Sequence, residues 1–179
     1  MKSDAELLEM LRDPERRYEA FEAIVRHYSP LLYAQVRRLV LWHDDADDVL
    51  QNTFLKAWNG ISSFRGEARL STWLYRIALN EALTFLTRAK AHDSLEETPP
   101  AALRSLESDP YFDGDKAERR LQEAIALLPP KQRIVFNMRY FDEMKYEEIS
   151  ALLGTSVGAL KASYHIAAQK IADYFREND

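Results

Sequence analysis

EEISALLGTSVGALKASYHIAAQKI, residues 147–171, holds two apolar-periodic runs on either side of a glycine. An apolar-periodic run ends at Gly154, a residue free to take the positive φ of a tight turn. Ser156, a good capping residue, follows, and a second periodic run begins at Val157. This is the pattern of a helix-turn-helix. At ~100° per residue, Val157, Leu160, Tyr164, Ala167, Ala168, Ile171 and Phe175 share one face. The opposite face carries Ala159, Ala162, His165, Ile166 and Gln169, flanked by Lys161 and Lys170. Small residues let a helix enter a DNA major groove closely, and His, Gln and Lys reach base edges or phosphates. The ordinary alternative is a helical hairpin with a solvated face, and this stretch taken by itself leaves both open.

Working outward, almost every other segment has helical periodicity. A short helix is expected over Tyr146–Leu153 and a last one from Val157 to about Phe175. Pro129-Pro130 opens a helix through Ile134, Val135, Met138 and Phe141, and Leu121, Ile125 and Leu128 mark another before it. Upstream the pattern fades. Residues 91–114 hold Pro99, Pro100, Pro110 and Gly114 and read as a linker. Between Ala91 and Glu118 eight acids face two bases. Further upstream, Tyr18, Phe21, Val25 and Tyr28 form one stripe and Leu32, Val36, Leu39 and Val40 another, with Ser29-Pro30 expected to break or kink the helix between them. Ala46, Leu50, Phe54 and Trp58 repeat every four residues until Asn59-Gly60 stops the helix. The loop ISSFRGEARL, 61–70, precedes Ser71, a candidate N-cap for a helix to about Lys90. No strand pair and no solenoid repeat is visible. The expectation is an all-α chain: two small helical domains, 1–90 and 115–179, joined by an acidic flexible linker, 91–114, with a helix-turn-helix in the second.

Composition removes other classes. With 179 residues, 46% hydrophobic and 30% charged, the chain has enough apolar content for packed cores and is not of the disordered type. The net charge of −5 argues weakly against a general nucleic-acid coat protein. The average hides blocks, because Phe64–Lys90 holds five bases against two acids, and Gly154–Lys170 holds Lys161 and Lys170 and no acid. There is no cysteine, hence no disulfide or thiol chemistry, which suits a reducing cytosol. The start, MKSDAELLEM, has no apolar signal region, and no run approaches the ~18 residues of a membrane span, so no membrane insertion is expected. The five glycines form no phosphate-cradling cluster. His27, His43, His92 and His165 show no metal-ligand spacing, and no nucleophile or zinc-protease motif is present. No enzyme, cofactor or metal is expected.

Two further constellations carry chemistry. On the helix from Ser71, Leu74, Ala78, Ala82, Phe85 and Ala89 make a core stripe, while Trp73, Arg76, Asn80, Thr84 and Thr87 share another face. An aromatic ring, an arginine and an amide together can stack on a base, hold a phosphate and read a base edge, as single-strand recognition needs. Phe64, Arg65 and Arg69 adjoin them. The competing reading puts Trp73 in the core and leaves Arg76 as a solvated charge. The second constellation is HDDADDVLQNTFLKAW, 43–58. Its four aspartates suit a helix N-terminus better than a calcium loop, since the glycine and closing glutamate of such a loop are missing. Asp48, Gln51, Asn52, Leu55 and Lys56 form a polar face with an apolar centre, a composition that suits a protein partner as well as solvent.

Taken together and in this order, these stretches resemble the sigma factors of bacterial RNA polymerase, above all the small extracytoplasmic-function (ECF) group of the sigma-70 family. The resemblance covers about residues 15–90 and 115–175, and its most specific run is DADDVLQNTFLKAWNGISSFRGEARLSTWLYRIALNEALTFL, 45–86. It implies a factor that directs promoter-specific initiation by core RNA polymerase in the cytoplasm. Asp48, Gln51, Asn52, Leu55 and Lys56 would face the coiled coil of the beta-prime subunit, with the beta subunit a further partner. Phe64, Arg65, Arg69, Ser71, Trp73, Arg76 and Asn80 would engage the opened −10 element of promoter DNA. Ser156, Ala159, Lys161, Ala162, Ser163, His165, Ile166, Gln169 and Lys170 would meet the −35 duplex. Family members usually have an anti-sigma factor, so such a partner is also implied.

One departure stands out. Many members continue the recognition helix with Thr-Val-Lys-Ser-Arg and a second base three positions on, where this chain has Ala159, Leu160, Lys161, Ala162, Ser163 and then Ile166. Either Lys131, Arg133, Arg139 and Lys145 take over phosphate anchoring, or the −35 contact is weaker. The rival class is a stand-alone helix-turn-helix regulator whose N-terminal half dimerises or senses a ligand.

Overall fold

A capping box opens the first helix. Ser3 Oγ accepts from the Glu6 N–H and the Glu6 carboxylate accepts from the Ser3 N–H at 2.6 Å, which fixes the start of α1, Asp4–Arg12. The computed structural model describes residues 3–92 and 114–178, and all regular structure among them is helical. After α1 come α2, Arg17–Val40, α3, His43–Gly60, a 3-10 turn, Ile61–Ser63, and α4, Leu70–His92. Beyond the linker are α5, Lys116–Ala126, α6, Pro130–Tyr140, α7, Tyr146–Leu153, and α8, Val157–Glu177. The chain divides into two compact units, Met1–Ser94 and Leu95–Asp179. The acidic run expected as a linker lies almost wholly outside the described residues.

In the first unit, α2 packs on α1, α3 and α4, and α3 packs on α4. Ile24, Leu32 and Val36 of α2, Ala46, Val49 and Ala57 of α3, and Leu70, Leu74, Ala78, Leu79 and Ala82 of α4 are buried where these helices pack. Three expectations need correction. Of the break or kink expected at Pro30, the break is contradicted, since α2 is continuous from Arg17 to Val40. Pro30 is exposed, and buried Ile24 and Tyr28 before it and Leu32 and Val36 after it hold the helix in register. The core stripe of α3 is Ala46, Val49, Thr53 and Ala57, whereas Phe54 and Trp58 are only half-buried. Small residues sit where α3 is squeezed between α2 and α4, and the rings are displaced to the flank against Phe21, at 6.4 Å and 4.9 Å. Buried Thr53 is satisfied by donating to the Val49 carbonyl. Tyr18 is 75% exposed, edge-on to Trp58, because Ala20 and Ile24 supply the inward positions of that turn.

The second unit closes on Ala124, Ile125, Leu128, Phe136, Ala167 and Ile171, with Leu121, Phe141, Tyr164 and Phe175 packed around them. Pro130 is the first residue of α6 as its sequence predicts, since the lost N–H has no helical partner there. Gly154 ends α7 at φ +64°, where a side-chain-bearing residue costs roughly 1–2 kcal/mol. Ser156 Oγ accepts from the Ala159 N–H and starts α8. The helix-turn-helix expected at 146–175 is therefore α7, turn and α8. Its inward face is Leu160, Ala167 and Ile171, flanked by half-buried Val157, Tyr164, Ala168 and Phe175.

Candidate nucleic-acid interface

Phe64 and Trp73 decide how the 64–70 loop sits on α4. Their ring centroids are 5.0 Å apart with planes tilted by 38°, and both rings are half-buried. The Trp73 ring also lies against Gly60, so it ties the end of α3, the loop and the first turn of α4 together. Trp73 is thus neither wholly core nor free, since it packs on protein and keeps an exposed portion. Gly66, at φ +74°, turns the loop beneath Leu8 of α1. A cleft of about 430 Å³ opens beside Phe64, lined by Leu8, Leu11, Arg12, Arg17 and Ile61 among others. The sequence reading missed α1 and these two arginines. The signal available was Ser3 with Glu6 three residues on, the capping-box spacing.

Arg65, Arg69, Ser71, Arg76 and Asn80 are all exposed. Ser71 is not the N-cap of α4; the helix starts one residue earlier, and the Arg69 carbonyl accepts from the Trp73 N–H. Burying Leu70 draws it into the first turn. Thr84 and Thr87 are exposed, and their hydroxyls donate to the Asn80 and Leu83 carbonyls of their own helix at 2.8 and 2.9 Å. The result is an exposed face in which Arg76 and Asn80 stand beside an aromatic pair, the equipment for holding a strand and reading a base.

On α3, Asp48, Gln51, Asn52 and Lys56 are exposed, and Leu55 is 62% exposed in their midst. The structure therefore brings these residues to one open face. Lys56 is committed, because its ammonium pairs with Glu81 of α4, whose side chain is 11% exposed. That pair staples α3 to α4.

On α8, Ala159, Lys161, Ala162, His165, Ile166, Gln169 and Lys170 are exposed, while Ser163 is half-buried. Ser156 spends its oxygen on the cap. The Gln169 amide donates to the Asp173 carboxylate at 3.1 Å, and Lys170 lines a shallow cleft against α5 with Leu127, Asp173 and Glu177. The Lys161 ammonium lies 5.8 Å and the Arg139 guanidinium 5.4 Å from the Tyr146 ring centre, within cation–π range. Arg133 is corrected as a phosphate anchor. It is 6% exposed and donates to the Ala126 carbonyl at the end of α5, and burial pulls its guanidinium down to about 10. Among the described residues no group of His and carboxylates could hold a metal, and no helix is long and apolar enough to cross a membrane.

Fold and surfaces together define a two-part helical factor, with one unit exposing an aromatic and basic face and the other carrying a helix-turn-helix. The model of sigma-70 region 2 matches residues 24–92 and that of sigma-70 region 4 matches 118–171. The ECF RNA polymerase sigma factor SigM of Mycobacterium tuberculosis is 32% identical over 173 residues, 96% of this chain and 84% of that one. The RNA polymerase sigma-H factor of Pseudomonas aeruginosa is 27% identical over 186 residues, 95% and 92%. In fold, the chain is similar to the sigma factor RpoE of Bartonella quintana in complex with the anti-sigma factor NepR, with a TM-score of 0.64 at 22% identity over 87% of this chain and 96% of that one. It is similar too to CnrH in complex with the cytosolic domain of CnrY, with a TM-score of 0.63 at 21% identity over 99% and 100%. The chain belongs to the sigma-70 family, in its ECF group, and its function is promoter-directed transcription initiation.

Proposed function

We propose that the chain divides its task by unit. Residues 1–90 bind core polymerase through the α3 face and hold the opened −10 strand on the 64–70 loop and α4. Residues 91–114 link, and residues 115–179 read the −35 duplex through α8. The observation that carries the first assignment is the pairing of exposed Arg76 and Asn80 with the half-buried Phe64–Trp73 pair on one surface. Such a surface offers stacking, charge and a base-edge amide at once, as single-strand binding requires. The factor works without chemistry of its own, in the cytoplasm where polymerase is. The open face of α3, with Leu55 at its centre, is also the surface an anti-sigma factor would cover to compete with polymerase.

The −35 contact rests on few charges. Lys161 and Lys145 are exposed cations at the helix-turn-helix, Lys131 stands at the start of α6, and Arg133 is withdrawn. Base reading then falls to His165, Gln169 and the apolar Ala162 and Ile166, which suit thymine methyl groups.

Gel filtration with and without core polymerase tests the division against a stand-alone regulator. The factor is expected as a monomer that co-elutes with core and binds promoter DNA tightly only in that complex. Leu55→Asp is expected to abolish co-elution while leaving the fold intact. A dimer that binds duplex tightly without polymerase would contradict the proposal.

A further inference from the structure

His165 stands at the centre of the outward face of α8, exposed, with no hydrogen bond or ion pair to any described residue. At ~100° per residue, Gly158, Lys161, Ala162, Gln169 and Ala172 lie within about 60° of it, and all five are exposed. Gly and Ala keep this surface low, and a Cβ on Gly158 would meet no atom within 4 Å, so the imidazole projects from it. Lys161 is the only cation among these neighbours, and none of them is an acid. The charged groups nearby have other partners. One turn before His165, the Lys161 ammonium lies over the Tyr146 ring of α7, where the Arg139 guanidinium of α6 also reaches, at 5.8 and 5.4 Å from the ring centre. Two turns beyond it, Asp173 takes the Gln169 amide and the Arg176 guanidinium at 3.1 and 2.6 Å. Glu148 of α7 accepts from the Lys145 N–H, and Glu123 of α5 from the Tyr174 hydroxyl, both at 2.9 Å. The imidazole is left to whatever meets this face.

We propose that His165 sets −35 specificity through its proton: as an imidazolium it donates to the acceptor edge of one guanine, so the −35 duplex is read more tightly as pH falls. The proposal rests on the reading of α8 as the −35 helix. Histidine is the side chain whose ordinary charge change lies between pH 5 and 8. A neutral imidazole offers one donor and one acceptor, whereas the charged form offers two donors and no acceptor. In the major groove guanine presents N7 and O6, both acceptors, while adenine presents an acceptor beside a donor. The donor-only form therefore selects guanine, and the neutral form suits either purine. Charge acts in the same direction. With Lys161 as its one cationic neighbour and phosphates lining the groove on both sides, the bound imidazole keeps its proton to a higher pH than the free one. Binding then takes up a proton in that window, and affinity falls as pH rises through it.

The test uses the full-length chain with core polymerase on two promoter fragments already open at −10, one with the −35 block that the factor selects and one with that block scrambled. The ratio of the two affinities is followed from pH 6 to pH 8. Taking the ratio cancels protons bound elsewhere, by polymerase or by the other histidines. The wild-type ratio is expected to fall as pH rises, by up to about tenfold per pH unit, the limit for one proton. His165→Gln, neutral throughout, should give a ratio that does not change with pH. His165→Lys, charged throughout, should restore discrimination at pH 8 and also be insensitive to pH. Deazaguanine lacking N7, placed at one guanine of the −35 block at a time, should remove the pH dependence at a single position in the wild type and have no such effect in His165→Gln. Equal pH dependence of the ratio in wild type and His165→Gln overturns the proposal, as does a dependence that survives every deazaguanine. A ratio near one at every pH instead overturns the reading of α8 as the −35 helix, and the proposal with it.

Discussion

Phe64 of the loop and Trp73 of α4 lie with ring centroids 5.0 Å apart, although nine positions separate them in sequence. The pair is the joint between a segment without regular structure and the helix behind it. An aromatic pair of this kind is worth about 0.5–1.5 kcal/mol beyond area burial. Phe64→Ala and Trp73→Ala are each expected to lower the melting temperature and weaken binding to an open −10 strand. Their effects should be non-additive by about 0.5–1.5 kcal/mol in a double-mutant cycle. Asn80→Ala, at an exposed position, should leave the melting curve in place and change base preference alone. Additive Phe64 and Trp73 effects would show that the two rings act separately.

The cations of the second unit divide into exposed ones such as Lys161 and the buried Arg133. Lys161→Ala is expected to reduce the magnitude of the −35 salt slope by about one unit for all duplexes alike. Tyr146→Leu should give part of the same loss by releasing Lys161 and Arg139 from its ring, and Tyr146→Phe should not. Arg133→Met should leave the slope untouched, since the side chain is buried. It should cost little stability, because it exchanges a desolvated cation with an unpartnered Nε for an apolar side chain. Salt titrations of the four variants in complex with core polymerase check the set; a flatter slope for Arg133→Met would return it to the interface.

The α1–α2 contact carries a pH signature. Burial, and then the Asp4 carboxylate 3.1 Å from its hydroxyl, push Tyr28 up to about 12 from an ordinary value of 10.0. Below pH 10 the phenol is protonated in both the folded and unfolded states, and its contribution to stability is fully present. Between pH 10 and about 12 the unfolded state ionises first and draws the equilibrium toward itself, so the contribution falls as pH rises. Chemical denaturation across pH 9 to 12 is expected to show this loss in the wild type and a shallower one in Tyr28→Phe. Equal slopes in both would exclude Tyr28 as the group responsible.

Much of this was legible in the sequence, because helical periodicity, Gly154, Ser156 and Pro130 act locally and the structure uses them locally. The errors arose where tertiary packing overrode a local rule. Ser71 looks like a cap, yet Leu70 is pulled into the helix by burial. Pro30 looks like a break, yet the apolar stripe on both sides carries α2 through it. The i, i+4 rings of α3 look like its core, yet two neighbouring helices leave room for Ala46, Val49, Thr53 and Ala57 instead. Site residues were legible as surfaces but not as engagements: Lys56 with Glu81 and Gln169 with Asp173 depend on side-chain geometry that spacing does not encode. Arg133 illustrates the same limit, since a base between Gln132 and Ile134 has no sequence mark of burial.

On the proposed division, one chain supplies polymerase with two separate promoter contacts, an opened one and a duplex one. Run-off transcription by core polymerase with the purified chain, over a genomic promoter library, measures this most directly when single-stranded bases are mapped by permanganate on the same templates. Specific start sites are expected that share two sequence blocks, with permanganate-reactive thymines in the downstream block and none in the upstream one. Asn80→Ala should erode selection in the downstream block only, and Lys161→Ala should reduce yield without changing either sequence. No specific transcript, or start sites that share a single block, would contradict it.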